Sequence, residues 1–480
     1  MKISERRLNL LMDLYQLTMS QIYFKEDLEE EVVFDMFFRK VPEQGGFAIM
    51  AGVEQVIEYI EGLSFNTDEI QSLRELNIFE EDFLSFLSTY KFKSDIYAIP
   101  EGTPIFPNEP IVTVKGRLID CQMIETMLLL TINHQSLIAT KTNRIVRVAD
   151  GRGVMEFGAR RAQGYDGAVY GARASYIAGA IGTATTMMHH DFNIPVFGTM
   201  AHSFIQRYGD EYKAFEAYAK NYPDSCTLLV DTYSVLKSGV PNAIKVAKEV
   251  LEPMGKRLKG IRLDSGDMAY LSKKCRKMLD EANMQDCKII ASNSLDEYTI
   301  TSLLQQGAKI DIFGVGERLI TSKAESVFGG VYKIGAVKEK GEFVPRIKLS
   351  ENVEKVTNPG YKTVWRLFDN ETGKAIADVI TLADEVIDDT KPYTIFDPVH
   401  TWKKKEITNF TAKKLQVPVI LKGEVVYNNP KIEDIKKYCE DQINTLWDEV
   451  KRLENPHAYY VDLSKNLWDL KNKLIQNYRK

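Results

Sequence analysis

Between residues 150 and 335, six short apolar runs recur, at 154–157, 195–198, 227–231, 260–264, 288–292 and 309–314, most closing in a charged, polar or glycine-bearing cluster. Stretches of helical spacing, such as 267–284 and 294–306, separate most of them. The step between runs is roughly 20–40 residues, the size of one strand-plus-helix unit. Strands that alternate with helices imply a parallel sheet covered on both faces. Polar groups end nearly every run, whereas an open doubly wound sheet concentrates them at one switch point. The pattern predicts a barrel whose working groups stand at the C-terminal ends of its strands.

A chain of 480 residues is too long for one ordinary core. Residues 1–130 read as an α+β domain. A helix is expected within 1–30, a strand at 31–39, a turn at Gly45 and Gly46, helices near 50–90, and Pro- and Gly-broken strands at 96–102 and 110–116. A helix near 120–149 leads into the barrel, assigned to residues 131–335. Residues 336–480 are mixed at first. From Lys431 they become helical and amphipathic, with apolar positions at Ile435, Cys439, Ile443, Leu446, Trp447 and Val450 and a last helical stretch at 467–478.

A net charge of −5 argues against a broad nucleic-acid surface. Five scattered cysteines, odd in number and without a C-x-x-C pair, suggest reduced thiols in the cytoplasm and no structural zinc. No apolar run approaches a membrane span, and no signal-peptide core follows the first residues. His189, His190 and Asp191 lack a third ligand and read as a solvated helix end. Ser294 and Glu297, three apart, fit a capping box, and Asp267 fits a helix cap.

The run ends carry the chemistry. They offer Glu156, Phe157, Arg160 and Arg161, then His202, then Asp231, then Arg262, Asp264 and Asp267, then Ser292 and Asn293, and finally Gly314, Gly316, Glu317 and Arg318. Arginines suit anions, and carboxylates suit Mg²⁺ or hydroxyls. A Gly-x-Gly turn can present backbone N–H groups to a phosphate.

Four of these segments together, EFGARRAQG at 156–164, GTMAHSF at 198–204, RLDSGD at 262–267 and FGVGERL at 313–319, resemble the nicotinate phosphoribosyltransferase family. DLYQLT at 13–18, GGVYK at 329–333 and KLS at 348–350 fit as well. The resemblance runs from about residue 10 to the C-terminus. It implies transfer of phosphoribose from 5-phosphoribosyl-1-pyrophosphate to nicotinate, giving nicotinate mononucleotide and pyrophosphate in NAD salvage, coupled to ATP hydrolysis with Mg²⁺. The implied fold is an irregular α/β barrel with an N-terminal α+β domain, completed by segments after the barrel, and a helical C-terminal region. The implied assembly is a homodimer with shared sites.

The resemblance also implies roles. His202 is the residue phosphorylated by ATP, with Asp231 and Asp264 orienting it or binding Mg²⁺-bridged ribose or pyrophosphate oxygens. Phe157 stacks on the pyridine ring, and Tyr15 of the partner protomer closes the other face. Arg262 takes the nicotinate carboxylate. Arg160, Gly314 and Gly316 hold the ribose 5′-phosphate, with Thr183, Ser292 and Asn293 also at the substrate, and Lys323 and Lys333 reach ATP phosphates. Nicotinamide-using relatives carry an acid in a Gly-Thr-Asp segment, where this chain has Gly182, Thr183 and Ala184, which favours the acid substrate. The competing readings are nicotinamide use by the same machinery, quinolinate phosphoribosyl transfer without ATP, and a catalytically silent nucleotide-binding scaffold. Retention of His202 argues against quinolinate transfer, and the presence of His202, Arg262 and Asp264 argues against the silent scaffold.

Overall fold

The structure, a computed structural model, describes residues 8–28, 30–352 and 355–478. The chain forms two compact units that divide at 137/138 and 326/327, against the expected boundaries near 130 and 335.

The unit formed by residues 138–326 carries six strands: β1 (Gly153–Glu156), β2 (Gly182–Thr183), β3 (Thr227–Leu229), β4 (Gly260–Leu263), β5 (Lys288–Ser292) and β6 (Ile312–Val315). They lie in the order β2-β1-β6-β5-β4-β3, and every pairing is parallel. The first strand stands beside the last, and the others follow in sequence. That is the order of strands wrapped around a barrel, opened between β2 and β3. No ladder closes this gap among the described residues, so the barrel is irregular. Its strands are apolar and buried, with Val154, Leu228, Ile261, Leu263, Ile289, Ala291 and Phe313 all under 2% exposed, as a sheet covered on both faces requires.

The expected strand at 195–198 is not a regular strand. Only Val196 bridges to Thr183, in parallel sense, beyond β2. Pro195 has no N–H to give a ladder. The segment still approaches closely, because a Cβ on Gly182 would lie 2.3 Å from the Pro195 carbonyl oxygen. After β3 the chain turns through Asp231 and enters a wide π-helical turn, Val235–Gly239. Gly239 permits this, since a Cβ there would stand 1.9 Å from the carbonyl oxygen of Val230.

Helix caps follow the sequence in part. Asp267 caps the helix Met268–Glu281 by accepting from the Tyr270 N–H, as expected. The capping box at Ser294 and Glu297 does not form. Asp296 is the cap of Glu297–Gln305, and Glu297 is instead buried between Lys141 and Arg144. A carboxylate with two buried cations at 2.9 Å outweighs the small gain of a reciprocal cap.

The other unit joins residues up to 137 with those from 327 onward. Its seven-stranded sheet is antiparallel, and the segments Glu31–Phe37 and Val331–Glu339 from opposite ends of the chain pair directly. A four-stranded sheet includes Lys362–Asp369, Ala375–Leu382 and the late segment Val461–Leu463. The C-terminal residues thus complete this unit. The helices Leu14–Lys25, Ile432–Thr445 and Lys465–Tyr478 lie where the sequence places them, the first with Asp13 and Gln16 in a capping box. No helix among the described residues is long and apolar enough to cross a membrane.

Candidate active site

The strand ends of the barrel unit converge on Arg262. Because β4 and β5 pair in register, Ile290 with Arg262 and Ala291 with Leu263, the end of β5 sets Ser292 beside Arg262. The guanidinium donates through Nε to Ser292 Oγ at 2.9 Å, through Nη1 to Thr199 Oγ1 at 3.1 Å and through Nη2 to Asp264 Oδ1 at 2.8 Å. Its carbon stands 5.7 Å from the centroid of the Phe157 ring, within cation–π reach. Three anchored donors leave part of the guanidinium edge for a ligand and fix its plane.

Asp264 also accepts from Ser292 Oγ at 2.5 Å. Burial alone would raise its carboxyl, but the Ser292 hydrogen bond, the Arg262 charge and nearby His202 outweigh it and hold it below the ordinary range. Asp231 Oδ2 accepts from the Asp264 backbone N–H at 3.0 Å and from Ser265 Oγ at 2.6 Å. Its other oxygen, Oδ1, is buried and has no hydrogen-bond partner.

His202 opens the helix His202–Tyr208, and its side chain is 41% exposed. Its Nδ1 lies 3.1 Å from Thr232 Oγ1. Its Nε2 lies 3.9 Å from the free Asp231 Oδ1 and 3.8 Å from Asp264 Oδ2. Those distances exceed hydrogen bonds and leave room for a ligand atom or cation between ring and carboxylates. The histidine arrives from the segment beyond β2 and meets the loop after β3, so it spans the opening of the barrel.

Phe157 follows β1, its N–H donating to the Val315 carbonyl at 2.8 Å. The ring fills the space left by Gly314, whose Cβ would lie 2.6 Å from Phe157 Cδ2. Gly314 is therefore a strand residue of β6. Only Gly316 leads out of the strand, and the helix that follows, Glu317–Ile320, is one turn long. Beneath Phe157, the buried Glu156 carboxylate accepts from Thr183 Oγ1 at 2.6 Å and from the Gly158 N–H. Burial raises its pKa against those two bonds.

The structure thus brings His202, Asp231, Asp264, Arg262, Ser292 and Phe157 together. Thr183 is buried next to them on Glu156. Asn293 is exposed at positive φ. Arg160 is exposed on the turn Ala159–Arg161. Lys323 is exposed and paired with Glu317 at 2.6 Å. Sequence reasoning missed Thr199 and Thr232, which sit inside or beside recognised motifs but have side chains too common to stand out.

Two expected residues belong to the other unit. Tyr15 is 43% exposed on Leu14–Lys25, and burial, then Glu125, raise its phenol to about 12. Lys333 lines a cavity of about 320 Å³ with Arg346 and Lys348. Burial holds its ammonium below the usual range, and Lys348 and Arg39 add to that against Glu125. Three cations around one cavity suit a polyanion.

No group of three or more His, Cys, Asp or Glu among the described residues is arranged to hold a metal ion. The unpartnered Asp231 oxygen near His202 Nε2, which also stands 3.8 Å from Asp264 Oδ2, nevertheless fits Mg²⁺, which takes one or two carboxylates and completes its shell with phosphate oxygens and water.

The model of the nicotinate phosphoribosyltransferase (NAPRTase) N-terminal domain matches residues 10–133, that of the nicotinate phosphoribosyltransferase (NAPRTase) family matches 153–386, and that of the C-terminal domain matches 361–471. The chain is 46% identical over 475 residues to the nicotinate phosphoribosyltransferase of Bacillus subtilis, covering 98% of this chain and 96% of that one. It is 38% identical to that of Dictyostelium discoideum, covering 97% and 88%. Its fold is similar to the crystal structure of human nicotinic acid phosphoribosyltransferase, with a TM-score of 0.85 and 27% identity over 97% of this chain and all of that one. The chain belongs to the nicotinate phosphoribosyltransferase family.

Proposed function

We propose that this chain transfers phosphoribose from 5-phosphoribosyl-1-pyrophosphate to nicotinate and couples the transfer to ATP hydrolysis through phosphorylation of His202. The observation that carries the reading is the pairing of two sites around Asp264. One of its oxygens holds Arg262, and the other faces His202 Nε2.

Arg262 receives the nicotinate carboxylate, and Phe157 supplies the flat face for the ring. The ring nitrogen attacks C1 of the ribose as the C1–O bond to pyrophosphate breaks. That centre passes through a cationic state, so positioning and electrostatics carry the step. Ala184 places no carboxylate near the pocket to repel the acid.

With Nδ1–H donated to Thr232, the Nε2 lone pair is free to take the γ-phosphoryl group, forming a P–N bond as the anhydride to ADP breaks. Water later cleaves the P–N bond and releases phosphate. Asp231 and Asp264 would hold Mg²⁺, which offsets phosphate charge when bound. Lys333, with Arg346 and Lys348, offers cations for ATP phosphates, and Lys323 is a second candidate. Arg160 and the Gly316 turn face the ribose phosphate, with Thr183, Ser292 and Asn293 at the substrate. In a homodimer, Tyr15 of one protomer would cover the ring on Phe157 of the other. Five free buried cysteines fit work in the cytoplasm.

The test is pyrophosphate release from 5-phosphoribosyl-1-pyrophosphate with Mg²⁺, comparing nicotinate with nicotinamide, each with and without ATP. Turnover of nicotinate that ATP strongly raises is expected. Preference for nicotinamide would overturn the pocket assignment, and no turnover with either would favour a silent scaffold.

A further inference from the structure

Phe157 offers a flat ring but no polar atom on its side chain to hold that ring in place. Its position is set by the backbone on either side. Before the ring, the Phe157 N–H donates to the Val315 carbonyl at 2.8 Å and continues the pairing of β1 with β6. After the ring, the chain leaves the sheet for the turn Ala159–Arg161. There the Gly158 N–H donates to the carboxylate of Glu156, so the peptide that follows the ring is tied back to the residue before it. The fit is close, because a Cβ on Gly158 would lie 2.8 Å from Glu156 Oε1 and 2.6 Å from Ile320 Cβ. The second carboxylate oxygen accepts from Thr183 Oγ1 at 2.6 Å, and Thr183 Oγ1 accepts in turn from the Thr185 N–H at 3.1 Å. Glu156 and Thr183 also pair in register across β1 and β2. Glu156 is fully buried. An apolar side chain would fill that space at lower cost, but it would leave the Gly158 N–H without this acceptor.

We propose that Glu156 is a positioning residue for the transfer reaction, whose carboxylate sets the plane of the Phe157 ring by clamping the peptide after it to β2. The proposal rests on the role assigned above to Phe157 as the face for the pyridine ring. Glu156 touches no reacting atom and acts only through that ring. Both of its partners are donors, so a group that only accepts suits both at once. Glu156→Gln keeps the shape but turns an amide NH₂ toward one of the two donors. Glu156→Ala removes both acceptors.

The experiment places Glu156→Gln and Glu156→Ala in the unaltered protein and Glu156→Gln in a Phe157→Leu protein, which lacks the flat ring. It measures KM for nicotinate, KM for 5-phosphoribosyl-1-pyrophosphate, and transfer of label from the γ-phosphate of ATP to His202. A misplaced platform predicts a rise of about ten-fold in nicotinate KM for Glu156→Gln and more for Glu156→Ala. KM for the phosphoribosyl donor and labelling of His202 should hold. In the Phe157→Leu protein, Glu156→Gln should change nicotinate KM by less than about two-fold, because the group through which it acts is gone. An unchanged nicotinate KM in a Glu156→Gln protein that melts normally would overturn the proposal. So would a full effect in the Phe157→Leu background, or a loss of His202 labelling as large as the rise in KM, since either marks a structural role. An unaltered protein that turns over no nicotinate would refute the proposed function itself, and the platform with it, whereas normal turnover with insensitive Glu156 variants would refute this inference alone.

Discussion

Replacing Gly314 by alanine tests the ring platform through one methyl group. The ideal Cβ would lie 2.6 Å from Cδ2 and 2.7 Å from Cε2 of Phe157, and 3.4 Å from Ser292 Cβ. Carbon atoms rest comfortably at about 3.5–4.0 Å, so the ring must retreat by about 1 Å. The backbone cannot yield instead, because β6 is paired on both sides, to β1 and β5. Overpacking of this kind costs about 1–3 kcal/mol of stability, and the melting temperature should fall by a few degrees. The larger effect falls on catalysis. A displacement of about 1 Å in a substrate-positioning group lowers rates by up to roughly 100-fold. We expect kcat/KM for nicotinate to drop about 10- to 100-fold, with KM for the phosphoribosyl donor little changed. Gly62→Ala is the control, because nothing lies within 4 Å of its ideal Cβ. A folded Gly314→Ala protein with unchanged nicotinate kinetics would refute the role given to Phe157.

Other perturbations separate charge from packing. Asp231→Asn keeps an oxygen for Asp264 N–H and Ser265 but removes the charge facing His202. ATP-stimulated turnover should fall by roughly 100-fold or more with an unchanged melting temperature, and a small kinetic effect would remove Asp231 from the phosphoryl site. Asp462 is buried in Val461–Leu463, and burial, then Asp397, push its carboxyl up to about 7. The folded chain therefore keeps a proton that the unfolded chain loses above about pH 4, so this group's stabilisation is full below that pH and is lost as pH rises toward 7. Asp462→Asn should out-melt the unaltered protein by an amount that grows from pH 5 to pH 8, and parallel profiles would show that Asp462 titrates normally.

The parallel strand runs were legible because a strand buried on both faces leaves an unbroken apolar stretch, as at 260–263 and 288–292. The run at 195–198 looked the same, but Pro195 has no N–H to give a ladder, and the segment keeps only one bridge. Gly314 and Gly316 read as one turn because spacing does not reveal that the first glycine exists to admit a ring from a neighbouring strand. Ser294 and Glu297 matched a cap, yet Glu297 was claimed by Lys141 and Arg144, more than 150 residues away in sequence. His202, Asp231, Arg262 and Asp264 could be named because motifs and strand ends coincide at each. Thr199 and Thr232 could not, since a threonine gains meaning only from the charged group that a distant segment brings to it. The return of residues beyond 327 to the first unit depends on strand pairing across three hundred residues, for which local pattern holds no signal.

The most direct test of the account is transfer of label from the γ-phosphate of ATP to the intact protein, with Mg²⁺ present and the phosphoribosyl donor absent. The account predicts an acid-labile, alkali-stable phosphoryl group that maps to His202, is discharged on adding 5-phosphoribosyl-1-pyrophosphate and nicotinate, and is lost in His202→Ala. Label on another residue, or ATP-stimulated turnover that persists in His202→Ala, would contradict it.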